Sequence, residues 1–341
     1  MTTMADPDPA PSSSAVPGLQ VLGADVGATR ARVRIRALGP HGELGTLLAS
    51  AEGPGYNPNS SGPDGPAGLV DAVRTALLAA QAGARLQAPV RTVAVLGIAG
   101  AAAAHHAQVE EVVRAALAPL GLPARDVSIV DDMLPAFAAG SAHGEGLLLL
   151  GGTGSAAVRF SGFAPVRRCD GMGWLLGDTG SAVWIGREVL QAAACDLDGR
   201  GPATALTADV LAELGLPVPR PGAPRDGSGD DVRQGLIAAV RPLAPAHWGR
   251  LAPIAQRHPR DGIAREILAR AAAELVAKVD AVRDGAAEIV LAGSVLSENP
   301  EVSRRVRAEL ADRQLEVLEA GPPVEGALRL AAQRAAEALR S

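Results

Sequence analysis

One plan is written twice in this chain. In Leu19 to Gly45, LQVLGADVGATRARVRIRALGPHGELG, an apolar run meets a glycine-containing turn with Asp25 at its mouth. Beyond the turn, Val33 and Ile35 alternate with Arg32, Arg34 and Arg36, the period of a half-buried strand, until Pro40-His41-Gly42 breaks it. In Gly146 to Val166, four leucines, Leu147 to Leu150, stop at Gly151-Gly152-Thr153-Gly154-Ser155, and a strand over Ala156 to Phe160 follows. A short apolar run ending in such a turn reads as a buried strand feeding a tight loop. Glycines allow close backbone approach, and the N–H groups of successive residues, with the Thr153 and Ser155 hydroxyls, suit phosphate oxygens. Two such hairpins predict an internally duplicated, two-lobed fold in which one hairpin grips ligand from each side.

The text between and beyond the hairpins alternates strand and helix, which predicts an α/β architecture with ligand at the carboxyl ends of the strands. Helical spacing marks Gly68 to Gln81 and Val109 to Leu120, and strands are expected over Thr92 to Ile98 and Val127 to Val130. The last of these delivers two adjacent carboxylates, Asp131 and Asp132. Consecutive side chains at a strand end point to opposite sides, so only one of them can face a ligand. Asn57 lies in a polar loop from Glu52 to Pro66. The second half reads as helices over Asp178 to Ala194, capped by Asp178 or Ser181, then Leu206 to Leu214, Ile263 to Ala281, Pro300 to Leu310 and Gly326 to Leu339. A strand over Glu288 to Leu291 leads to Gly293-Ser294, and Pro217 to Asp231 is expected to be a loop. The expected organisation is a disordered tail over 1–18, an N-terminal lobe of 19–130 plus 322–341, and a C-terminal lobe of 131–321.

Composition excludes several classes of function. With 341 residues there is room for two lobes, and with 2% aromatic residues their cores must be Ala, Leu and Val. A formal charge of -5 argues against nucleic acid or an anionic membrane as partner. The two cysteines, Cys169 and Cys195, have no metal-ligand spacing, and His105-His106 has no partner at ligand spacing. The longest uncharged apolar stretch, Thr92 to Ala104, is too short to cross a bilayer, and the first residues lack the basic and apolar regions of a secretory signal. The expected setting is cytoplasmic.

DVGATRAR (Asp25 to Arg32), DDMLPAFAAG (Asp131 to Gly140), GGTGS (Gly151 to Ser155), GMGWLLGDTGSAVWIGRE (Gly171 to Glu188) and LAGSV (Leu291 to Val295) follow one another in this order. In that order they resemble the BadF/BadG/BcrA/BcrD ATPase family, within the sugar kinase, Hsp70 and actin superfamily, and in particular its N-acetylglucosamine kinase-like branch. The resemblance implies an actin-like ATPase fold of ribonuclease H-like lobes with a cleft between them. It implies ATP and Mg2+, with Asp25 holding the metal through water. Gly27, Ala28, Thr29 and Arg30 would form the first phosphate loop, Gly152, Thr153 and Gly154 the second, and Gly293 with Ser294 the adenosine-binding turn. Asp132 matches the catalytic base, and Asn57, Gly171 and Asp178, with Asp132, match sugar-contacting positions. The chain departs from the family at Val26 and Ala28, where glycines are common, at Arg30, where lysine is common, at Ser294, where a second glycine is common, and at Thr179, where an acid is common. Thr179 tilts the expected sugar toward a neutral N-acetyl form. The resemblance also leaves room for a homodimer.

Phosphoryl transfer is mostly positioning and charge neutralisation, with a carboxylate to orient and deprotonate the attacking hydroxyl. These parts point to an ATP-dependent kinase for the 6-hydroxyl of an amino sugar, N-acetylglucosamine first and glucosamine second. Lobes closing on the sugar would exclude water as a competing acceptor. Two other readings are an ATPase that activates a dehydratase and a sugar- or nucleotide-binding regulator without turnover. The first expects a cysteine ahead of the glycine turn, where this chain has Leu150, so no iron–sulfur cluster is expected. Trp174 and Trp184 are expected to pack rather than stack on ligand.

Overall fold

In the computed structural model, residues 18–27, 29–58, 65–84, 90–101, 106–218 and 232–340 are described. The expected tail, Ala28, Asn59, His105 and most of the 217–231 loop lie outside them. The chain divides into two compact units, Met1–Ala139 with Gly321–Ser341, and Gly140–Ala320.

The first unit holds β1 (Leu19–Val26), β2 (Arg30–Leu38), β3 (Leu44–Pro54), α1 (Ala67–Ala84), β4 (Arg91–Ile98), α2 (His106–Leu117), β5 (Val127–Asp131) and α3 (Met133–Ala138). Its sheet runs β3-β2-β1-β4-β5, antiparallel from β3 to β1 and parallel from β1 to β5. The core is aliphatic, as the scarcity of rings demands: Leu22, Val26, Val33, Ile35, Leu69, Leu96, Ile98 and Val113 are fully buried.

The second unit contributes β6 (Gly146–Gly151), β7 (Ser155–Ser161), β8 (Ala164–Asp170), α4 (Gly173–Leu176), α5 (Ala182–Asp198), α6 (Leu206–Glu213), α7 (Val232–Val240), α8 (Ala252–Arg257), α9 (Gly262–Val282), β9 (Glu288–Ala292), α10 (Ser294–Glu298), α11 (Pro300–Asp312) and β10 (Glu316–Glu319). Its sheet order, β8-β7-β6-β9-β10, and its pairing senses repeat those of the first unit strand for strand. The duplication read from two hairpins therefore extends over both five-stranded sheets. α9 packs on β6, β7 and β8, and α11 on α9.

The last helix, α12 (Pro323–Arg340), returns to the first unit and packs on β1, β4 and α3. Glu325 on α12 pairs with Arg34 and Arg36 of β2, and Arg329 donates to the Ala138 and Ala139 carbonyls at 2.9 and 3.0 Å, satisfying the end of α3.

Two expectations need correction. The division falls after Ala139 rather than after Val130, because α3 packs on α12 and on the strands of the first unit. Three strands were not read at all: β3, β8 and β10. Each is an edge strand with little burial, so the apolar alternation that marks a strand is weak there.

Candidate active site

In the first unit the site residues collect at the carboxyl ends of three parallel strands. Asp25 on β1 pairs in register with Gly97 on β4, and Gly97 with Val130 on β5. Asp25 and the end of β5 thus stand two strand spacings apart, about 10 Å. The Asp25 side chain is 21% exposed, and its nearest cation is Arg32 at 3.8 Å. Burial pushes its carboxyl above the ordinary range, and Arg32 pulls it only part of the way back. The turn that follows is closed by Gly27 N–H donating to the Arg30 carbonyl at 2.9 Å. The Gly27 carbonyl accepts from Tyr56 N–H at 3.0 Å, which brings the neighbouring Asn57 to the same turn. Thr29 and Arg30 are exposed, and Arg30 lies 3.9 Å from Glu52.

The adjacent carboxylates separate cleanly. Asp131 Oδ1 accepts the Met133 N–H at 3.0 Å, the local bond that starts α3. Asp132 has helical backbone angles, φ -59 and ψ -20, and its side chain makes no capping bond. The bond that starts α3 thus comes from Asp131.

In the second unit the turn between β6 and β7 is held from several sides. Gly152 N–H donates to the Gly154 carbonyl at 2.9 Å, and Ser155 N–H to Asp178 Oδ1 at 3.0 Å. Ala182 N–H, at the start of α5, donates to the Gly152 carbonyl at 2.8 Å. Among the described residues the N–H groups of Thr153 and Gly154 have no acceptor, and Thr153 is exposed. Two adjacent donors and a hydroxyl on a tight turn make a concave anion seat. Ser155, expected to add a hydroxyl, does not face it. As the first residue of β7 it is buried, and its Oγ donates to the Thr179 carbonyl at 2.8 Å.

Two glycines are required by close approach. A Cβ on Gly154 would lie 2.9 Å from Asp178 Oδ1, so the Asp178 carboxylate rests directly against the turn. Gly293, at φ +96, packs so tightly on Gly151 that a Cβ would meet its carbonyl carbon at 2.5 Å. Exposed Ser294 therefore begins α10 beside the β6–β7 turn. Next to it is a cavity of about 90 Å³ lined in part by Ala182, Ile185, Gly249, Gln256 and Val295, and Gln256 Oε1 is buried without a partner among the described residues. Gly171 joins through the backbone, its N–H donating to the Ser155 carbonyl at 3.0 Å.

Asp178 has left-handed backbone, φ 54, and does not cap α5; Ser181 does, its side chain accepting from Trp184 N–H at 3.1 Å. Burial raises the Asp178 carboxyl, opposed by the Ser155 N–H and reinforced by neighbouring Asp170. For Asp170, burial acts upward but the N–H groups of Asp178 and Met172 and the Lys278 ammonium outweigh it, and the carboxyl is held low. Neither Asp170 nor Lys278 was singled out from the sequence, although a charge inside the apolar run of α9 was a visible signal. Lys278 also donates to Thr179 Oγ1 at 2.8 Å. Thr179 is thus tied to α9 through Lys278.

Asp25 fits a magnesium ion. It is a partly buried carboxylate whose burial cost Arg32 offsets incompletely, and Mg2+ is ordinarily held by one or two carboxylates, waters and substrate phosphates rather than by an all-protein cage. No group of three or more ligating His, Cys, Asp or Glu side chains occurs among the described residues. Trp184 is buried in the core with Arg270 5.1 Å from its ring centre, and Trp174 stands edge-on to Trp248 at 5.4 Å. No described helix is long and apolar enough to cross a membrane.

Comparison with known proteins adds three findings. The family model for the BadF/BadG/BcrA/BcrD ATPase family matches residues 22–328. The fold is shared with the proposed N-acetylglucosamine kinase from Chromobacterium violaceum, at 23% identity and TM-score 0.69 over 92% of this chain and 99% of that one. It is shared also with the proposed N-acetylglucosamine kinase from Porphyromonas gingivalis, at 19% identity and TM-score 0.62 over 93% and 99%. No curated protein matches the chain.

Proposed function

The chain belongs to the BadF/BadG/BcrA/BcrD ATPase family, and on that premise we propose that it is an ATP-dependent kinase for the 6-hydroxyl of an amino sugar, N-acetylglucosamine before glucosamine. The observation that carries the proposal is the anion seat of the second unit, where the Thr153 and Gly154 N–H groups have no acceptor among the described residues. Asp132, which the family resemblance matches to the catalytic base, stands at the start of α3 in the first unit. The names of the two structural relatives support the choice of N-acetylglucosamine.

The roles are those the family resemblance implies, and the geometry of each unit supports them. Thr153 and Gly154 hold phosphate oxygens of ATP, and the Gly293–Ser294 turn with its adjoining cavity takes the adenosine. Asn57, Gly171 and Asp178 orient the sugar. Asp132 accepts the proton of the 6-hydroxyl as its oxygen bonds to the γ-phosphorus; the bond to the β-phosphate oxygen breaks, and ADP leaves with that electron pair. Mg2+, held at Asp25 through water, would supply neutralisation of charge on the phosphates. The donors are fixed before substrate arrives, so they cost no reorganisation when charge shifts.

A coupled ADP-release assay over N-acetylglucosamine, glucosamine, N-acetylmannosamine, N-acetylmuramate and glucose tests the reading. Release stimulated most by N-acetylglucosamine is expected; equal release with no sugar present would defeat it.

A further inference from the structure

Lys278 is the only lysine in a chain that otherwise carries its positive charge on arginine. It lies on α9 with 4% of its side chain exposed. A buried ammonium must find acceptors, and this one has four: the Asp170 carboxylate at 3.3 Å, the Thr179 carbonyl, the Thr179 hydroxyl at 2.8 Å and the Glu274 carbonyl at 3.3 Å. Acceptors gathered around one point suit the compact ammonium of lysine and not the planar fork of arginine.

Asp170 passes this anchoring on. Its Oδ1 accepts the Asp178 N–H at 2.8 Å and the Met172 N–H at 3.3 Å, and its Oδ2 accepts the Thr179 N–H at 3.3 Å. One carboxylate therefore pins both ends of the 170–178 segment. The chain passes it so closely that a Cβ on Gly177 would lie 2.0 Å from Asp170 Oδ1. Asp170 and Asp178 both have left-handed backbone, φ 66 and 54. Non-glycine residues keep that conformation only where their surroundings over-determine it. The bonds to Lys278 and Asp170 are those surroundings, and Asp178 at the far end rests on the phosphate turn through Ser155 N–H.

We propose that Lys278, acting through Asp170, is the positioning residue that sets the Asp178 carboxylate against the phosphate turn and so governs affinity for the acceptor sugar. The sugar part rests on the function proposed above; the positioning part stands without it. The test uses Lys278→Met and Asp170→Asn in the full chain, the second keeping its shape should the first fail to fold. Amide exchange at Ser155, Asp178 and Thr179 is expected to accelerate at least about tenfold while β6 and β9 stay protected. KM for the sugar should rise about tenfold with KM for ATP changed much less, and that rise should vanish in an Asp178→Asn background, because residues acting through one another are non-additive. Unchanged exchange at Ser155 in both variants, or losses that multiply with Asp178→Asn, would overturn the proposal. If the wild-type chain turns over no sugar, the proposed function fails, and exchange alone still decides the positioning.

Discussion

Asp131 and Asp132 are neighbours with opposite assignments, and substitution separates them. Asp132→Asn is expected to lower kcat by about 10²–10⁴, the usual worth of a general base. Asp131→Asn should cost less than about tenfold in kcat and leave stability nearly unchanged, because the Asn amide oxygen still accepts the first N–H of α3, whereas Asp131→Ala should lower stability by ~1 kcal/mol. A dead Asp131 variant beside an active Asp132 variant, both folded, would show the assignment to be off by one residue. Two other buried carboxylates act on stability with opposite signs, because N–H donors and Lys278 outweigh the burial of Asp170 while Arg32 only partly offsets that of Asp25. Asp170 is held below its ordinary pKa, so its ionised form adds stability above that value and loses it as pH falls through the lowered one. Asp170→Asn should therefore lower stability at neutral pH by up to the roughly 3–5 kcal/mol that follows from breaking a buried pair, read as a lower Tm, and the gap should close in acid. Asp25 is raised by burial, so its ionised form costs stability above the raised value. Asp25→Asn should raise Tm at neutral pH, the gain disappearing as pH drops below the ordinary carboxylate range, while turnover falls. Thermal melts of the three proteins across pH check both signs.

Among the elements, the phosphate turn is the most demanding. Gly154→Ala places a Cβ 2.9 Å from Asp178 Oδ1, which must move and release the Ser155 N–H. The expected result is a folded protein with raised KM for ATP. Gly293→Ala meets backbone at 2.5 Å from a left-handed position, so it should cost more than about 1 kcal/mol of stability as well. Denaturant unfolding of the two variants distinguishes them. How far such elements were legible in the sequence depended on burial. β1, β6 and β9 lie inside their sheets, where apolar runs are long, and they read plainly with their glycine turns. The edge strands β3, β8 and β10 carry no such run. Ser155 looked like part of the loop because it follows Gly154, yet it is the first inward residue of β7. Asp170 and Lys278 escaped because their partnership is made by the fold, between residues far apart in sequence that no local pattern connects.

At the scale of the whole molecule, one topology is used twice, and each copy presents its glycine turn at the carboxyl end of its first strand. The first copy adds carboxylates, Asp25 and Asp132; the second adds unused N–H donors. Under the proposed function the first copy supplies the carboxylates and the second the donors to phosphate, and the γ-phosphoryl group of ATP ends on a sugar. Phosphorus NMR of the full chain incubated with ATP, Mg2+ and N-acetylglucosamine follows that group directly. Equal growth of ADP and of a sugar 6-phosphate resonance is the result expected here; ADP accompanied only by inorganic phosphate, or ATP left unconsumed, would contradict it.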